Sequence, residues 1–65
     1  MKLNFKENLK ALRKENGITQ ANLAKILNTT IKTISHWETG YTEPSLAQLM
    51  KIAEVFEITV DELLS

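Results

Sequence analysis

Apolar and polar residues alternate along this chain in helical blocks broken by turn signals. Phe5, Leu9, Leu12 and Asn16 follow the 4-3-4 spacing of one helix face, while Lys6, Lys10 and Lys14 line another. This predicts a first helix from about Asn4 to Asn16, ended by a left-handed residue at Gly17. Thr19 is a good N-cap for a second helix over Gln20–Leu27, with Leu23, Ala24 and Leu27 on one side. Asn28 stands where that helix must stop, and Asn tolerates the left-handed conformation. Thr30 opens a third helix from Ile31 to about Thr39, with Gly40 just beyond it. After Pro44, Ser45 with Gln48 makes a capping box ahead of the apolar stripe Leu46, Leu49, Ile52, Ala53 and Phe56. Thr59 with Glu62 makes a second box ahead of Val60, Leu63 and Leu64. No stretch alternates with period two between hairpin turns. The predicted fold class is all-α, a compact bundle of five short helices.

Only Asn28-Thr29-Thr30 joins the second and third helices. A link that short holds two helices at a steep angle, as in a helix-turn-helix over about residues 20–39. At about 100° per residue, Ile34, Trp37 and Glu38 share one side of the third helix. Lys32, Ser35, His36 and Thr39 lie opposite, with Ile31 at the edge. That outer side is polar, free of acid and rich in hydrogen-bond donors. Such a helix fits the major groove of B-DNA, where donors and short apolar groups read base edges. Lys32 suits guanine O6 and N7, His36 donates or accepts according to tautomer, and Ile31 and the Thr33 methyl suit thymine methyls. A polar outer face is equally what any short surface helix shows.

Length and composition narrow the function. Sixty-five residues, 43% hydrophobic and 25% charged, make one globular domain spanning 1–65. A domain this small buries only about 60% of the surface of its unfolded chain, so it gains from a partner. No Cys and a single His exclude disulfides, thiolate zinc sites and Cys-based catalysis, and no cofactor or metal is expected. There is little room for a catalytic cleft with its supporting shell, so binding is expected rather than enzymatic activity. Glu54 with Glu57 and Asp61 with Glu62 read as exposed helix charges and a capping box. No apolar run approaches the ~18 residues of a membrane span, and Met1–Lys6 lacks the apolar stretch of a signal peptide. A cytoplasmic location is the expectation. The net charge of zero conceals an asymmetry. Residues 1–32 carry seven bases, Lys2 among them, against two acids, a net of +5, whereas residues 33–65 carry one base against six acids, a net of −5. One face suited to a polyanion and another turned away from it would account for that split.

The blocks Leu12-Arg13-Lys14-Glu15-Asn16-Gly17-Ile18-Thr19-Gln20, Leu23-Ala24, Thr33-Ile34-Ser35-His36-Trp37-Glu38-Thr39-Gly40, Pro44-Ser45-Leu46 and Ile58-Thr59-Val60-Asp61-Glu62-Leu63-Leu64 carry a resemblance. In this order the chain resembles the Cro and phage-repressor type of helix-turn-helix regulator, also called the xenobiotic-response-element (XRE) family, over nearly its whole length. Two positions depart from the pattern: Asn28 stands where the family usually has Gly, and Thr29 where it usually has an aliphatic residue. The resemblance implies a lambda-repressor-like DNA-binding domain that acts on transcription, most often as a repressor at a palindromic operator.

The resemblance also distributes roles. Ile31, Lys32, Thr33, Ser35 and His36 become the expected base contacts. Thr19, Gln20, Thr30, Thr39, Tyr41 and Thr42 become the expected phosphate contacts, Thr19 and Thr30 serving as caps as well. The matching glutamine of the family touches a phosphate and props a base-reading side chain, and the free N–H groups at that helix start also suit an anion. The loop after the third helix lacks the Lys or Arg often found there, so modest affinity is expected. Glu38 on the inner face must be paired, and Arg13 beside the Leu9–Leu12 stripe is its expected structural partner, a pair the family also has. Val60, Leu63 and Leu64 either close the monomer core or form a dimer contact, and the resemblance implies the homodimer. No small-molecule effector is evident. A second reading of the fold is a protein-interaction module, such as an antitoxin or adaptor, whose acidic C-terminal half would meet a basic partner.

Overall fold

The computed structural model describes residues 4–65; Lys2 and the first three residues of the Met1–Lys6 stretch lie outside the described residues. Five helices follow in order: α1 (Phe5–Glu15), α2 (Gln20–Ile26), α3 (Ile31–Thr39), α4 (Leu46–Phe56) and α5 (Val60–Leu64). Among the described residues there is no strand. None of the helices is long and apolar enough to cross a membrane.

The N-terminal signals act as their chemistry dictates. Thr19 Oγ1 accepts from the Asn22 N–H at 3.0 Å and Thr30 Oγ1 from the Thr33 N–H at 3.1 Å. Ser45 with Gln48, and Thr59 with Glu62, form complete capping boxes. The C-terminal ends of α1 to α4 share one closure. A left-handed residue (Gly17, Asn28, Gly40 or Glu57) is followed by one whose N–H reaches back to a carbonyl five positions earlier. These bonds are Ile18 to Arg13 at 2.9 Å, Thr29 to Ala24 at 2.8 Å, Tyr41 to His36 at 2.9 Å and Ile58 to Ala53 at 3.0 Å. Each is the long bond of a Schellman motif.

The core draws on every helix: Phe5 and Leu9, Leu23 and Ala24, Ile34 and Trp37, Ile52 and Ala53, and Leu63. Around it α3 lies against both α1 and α2, while α5 lies against α1 and α4. Leu27, expected among the inward residues, is only partly buried but packs on this core. Leu63 is fully buried, so it closes the monomer and has no surface to offer a partner. Its expected place in a dimer contact is therefore corrected; Val60 and Leu64 are partly exposed. The α5 end is fixed to α1 by the Asn8 side-chain amide, which donates to the Leu63 carbonyl at 2.9 Å.

Glu57 is the costly member of the four closures. It adopts φ of +57° with a side chain that gains nothing there, whereas glycine takes this conformation freely. Glu57→Gly is expected to raise the unfolding free energy by about 0.5–1 kcal/mol, even after the greater entropy of the unfolded glycine chain. Urea denaturation beside the parent protein measures it, and an unchanged or lowered midpoint contradicts the assignment.

Candidate nucleic-acid interface

The site begins with how α3 is held. Ile34 and Trp37 anchor it from behind, and Glu38, the one buried charged residue among those described, completes the inner side at 9% exposure. Burying a carboxylate is expensive unless its oxygens are satisfied. Arg13 Nε donates to Glu38 Oε2 at 2.6 Å and Arg13 Nη2 to Oε1 at 3.1 Å, a two-pronged pair between α1 and α3. Arg13 Nη1 donates to the Ile18 carbonyl at 3.0 Å, which fixes the guanidinium to the link between α1 and α2. Gln20 Nε2 donates to Glu38 Oε1 at 3.1 Å and brings in α2. Burial pushes the Glu38 carboxyl up, but hydrogen bonds from Arg13 and Gln20, with the charges of Arg13 and Lys10, outweigh it and hold the group below the usual carboxylate range. The hydrogen bond to Glu38 raises Arg13 above its ordinary value against the opposing effect of burial.

With that side committed, the opposite side of α3 is open. Lys32 is exposed, Ile31 is half exposed, and Ser35 and His36 are partly exposed. Thr33 is partly exposed too, but its hydroxyl lies 3.0 Å from that of Thr30 and belongs to the cap. Residues 16–37 contain no acid, so no carboxylate from this stretch competes for the donors of this face. The phosphate candidates fall into two groups. Thr19, Gln20 and Thr30 stand at the starts of α2 and α3, with the Gln20 amide already bonded to Glu38 on one side. Thr39, Tyr41 and Thr42 surround the α3 end, where Thr39 Oγ1 donates to the His36 carbonyl at 3.2 Å and so spends its proton internally. Tyr41 packs against His36, with ring centroids 4.7 Å apart and a tilt of 57°.

Two residues of this surface are missed by a reading of helix faces alone. Gln20 is one, since its bond to Glu38 joins elements eighteen positions apart. Lys6 is the other. A Cβ added at Gly40 would lie 3.1 Å from Lys6 Cδ and 3.5 Å from its Nζ, so the Lys6 side chain crosses the α3 end. The loop lacks a cation of its own, and α1 supplies one. The Lys6-Lys10-Lys14 spacing was the only sequence signal for it.

Comparison with known proteins agrees with this geometry. The helix-turn-helix family profile matches residues 9–63. The HTH-type transcriptional activator BcrR of Enterococcus faecalis is 40% identical over 97% of this chain and 31% of its own length. A solved structure of the P22 c2 repressor bound to a synthetic operator superposes with a TM-score of 0.87, at 33% identity over 94% of this chain and 92% of that one. The hydroxypropylphosphonic acid epoxidase of S. wedmorenis also superposes, with a TM-score of 0.85 and 35% identity over 94% of this chain but 32% of the enzyme. The chain belongs to the Cro and phage-repressor type of helix-turn-helix transcriptional regulators. It spans 31% of the length of BcrR and about half the length of two further curated relatives.

The linkage of Glu38 to folding has a definite sign. A carboxyl held below its unfolded value contributes stability that is complete above about pH 4.3 and is lost as pH falls through the lowered folded value. Glu38→Gln is expected to cost about 3 kcal/mol at pH 7, because the part-buried Arg13, with its side chain 12% exposed, loses its counter-charge. That deficit should shrink as pH is lowered through the acid range. Urea midpoints of parent and variant between pH 3 and 7 measure this, and a deficit independent of pH contradicts it.

Proposed function

We propose that this chain binds double-stranded DNA sequence-specifically as a homodimer on a palindromic operator, and represses transcription by occluding a promoter. The observation that carries this reading is the division of α3: Ile34, Trp37 and the paired Glu38 behind, and Lys32, Ser35 and His36 on an acid-free front. A helix held rigidly from one side and bearing donors on the other suits insertion into a major groove. Lys32, His36 and Ser35 are assigned to base edges, with Ile31 and the Thr33 methyl beside thymine methyls. Gln20 and Thr42, with the hydroxyls of Thr19 and Thr30, are assigned to phosphates, and Lys6 adds charge beside the loop. The operator in the P22 c2 structure and the repressor role named for one relative support this reading, and BcrR, named as an activator, supports regulation without its sign. A second copy of the chain is assigned to the part-exposed Val60 and Leu64 of α5.

Selection of bound sites from random DNA tests the reading directly. The expected product is a two-fold motif whose half-sites lie one helical turn, about 34 Å, apart. On that motif Lys32→Ala is expected to lose about 1–3 kcal/mol of discrimination at one base pair of each half-site, read by titration against single-base variants. Recovery of no enriched motif contradicts the proposal.

Lys6→Ala is expected to behave differently. It should weaken every sequence alike and reduce the slope of log affinity against log salt by about 0.9 per subunit. A slope equal to that of the parent would place Lys6 away from the phosphates.

A further inference from the structure

We propose that Tyr41 is a positioning residue for base discrimination: its ring packs on His36 and holds the imidazole in one orientation on the open face of α3. This rests on the reading of α3 as the base-reading helix. The starting point is the closure shared by α1 to α4. In each, the residue after the left-handed position bonds back to a carbonyl five positions earlier, a geometry that frequently brings the two side chains into contact. At the ends of α1 and α4 the later residue is Ile18 or Ile58, and each packs on the core. At the end of α3 it is Tyr41, which is 77% exposed and contributes no buried surface to the interior. What its ring meets instead is His36, at 4.7 Å between centroids.

The backbone pins both members of the pair. The His36 carbonyl accepts from the Tyr41 N–H at 2.9 Å, the Thr42 N–H at 3.3 Å and Thr39 Oγ1 at 3.2 Å. The loop therefore cannot carry Tyr41 away without breaking the end of α3. A free histidine on a helix surface samples several rotamers and must be ordered when it meets a base. A ring packed against it removes part of that cost before binding. It also fixes which imidazole edge, and so which ring nitrogen, faces the base; whether that nitrogen donates or accepts follows from the tautomer. On this account the aromatic ring carries the effect and the phenol hydroxyl does not. This differs from Tyr41 acting as a phosphate contact, where the hydroxyl would be the working group.

The test measures affinity for the selected operator and for its single-base variants, using the full chain as parent, Tyr41→Phe, Tyr41→Ala, His36→Ala and the double variant Tyr41→Ala/His36→Ala. His36→Ala is expected to flatten the preference at one base pair. Tyr41→Ala is expected to reduce the preference at that same base pair about three- to tenfold, Tyr41→Phe to restore it, and the double variant to lose no more than His36→Ala alone. Equal, sequence-independent weakening by Tyr41→Phe and Tyr41→Ala would overturn the proposal in favour of a hydroxyl on phosphate. So would a Tyr41→Ala protein that melts earlier but discriminates as the parent does, since that is a helix-end role only. Unchanged discrimination in His36→Ala would also overturn it, while leaving the reading of α3 intact through Lys32. A parent that prefers no sequence would remove that reading and this proposal with it.

Discussion

One buried ion pair sets the orientation of everything that faces outward. Arg13 and Glu38 are both largely withdrawn from water and meet through two hydrogen bonds. Their mutual attraction must first offset the cost of desolvating two charges, so the pair adds little net stability compared with an apolar contact. Its value is geometric. An apolar contact between α1 and α3 would tolerate sliding or rotation, whereas a two-pronged guanidinium-carboxylate bond fixes the roll of α3 about its axis. A third of a turn of rotation would bring Lys32 or His36 toward the core and expose Glu38. The same carboxylate also takes the Gln20 amide, so the start of α2 and the body of α3 are held by a single group.

Local signals and this long-range clamp agree with one another. Thr19 and Thr30 start α2 and α3 through their own hydroxyls, and Asn28 in the left-handed region turns the chain between them. The angle between the two helices is thus set by residues 27–30, and the roll of α3 by residues far outside that segment. Electrostatics follows the same division. Lys6 and Lys10 of α1 lie toward α3, Lys6 at its end and Lys10 near Glu38, while most of the acids sit on α4, α5 and their flanking loops. A neutral chain so divided presents one sign of charge beside the acid-free face of α3.

Much of this architecture was legible from residue order because its signals are local. Caps, glycines and apolar spacing act within one or two turns, and they located all five helices to within about a residue. What stayed hidden depends on tertiary context. Glutamate has no preference for the left-handed region, so nothing in the letters marks Glu57; it turns there because Ile58 must drop into the core and bond back to Ala53. In a five-residue helix, spacing cannot tell which of two adjacent leucines faces inward, and the structure gives that place to Leu63. The Arg13–Glu38 pair was accessible from the rule that an inward carboxylate needs a partner, but the Gln20 bond to it was not, because it depends on how steeply α2 meets α3. Lys6 falls in the same class: its stripe was visible, and the loop it crosses was not.

The junction between the two ends of the bundle bears on longer architectures. The Asn4 amide N–H lies 3.3 Å from the Leu64 carbonyl, and the Asn4 and Asn8 side chains both reach the Ser65 carbonyl. Entry to α1 and exit from α5 therefore share a single doorway on the surface. A unit whose entrance and exit coincide can be spliced into another polypeptide, or joined tail to head, without stretching any helix. Such portability suits a fold that occupies roughly a third of both an activator and an epoxidase.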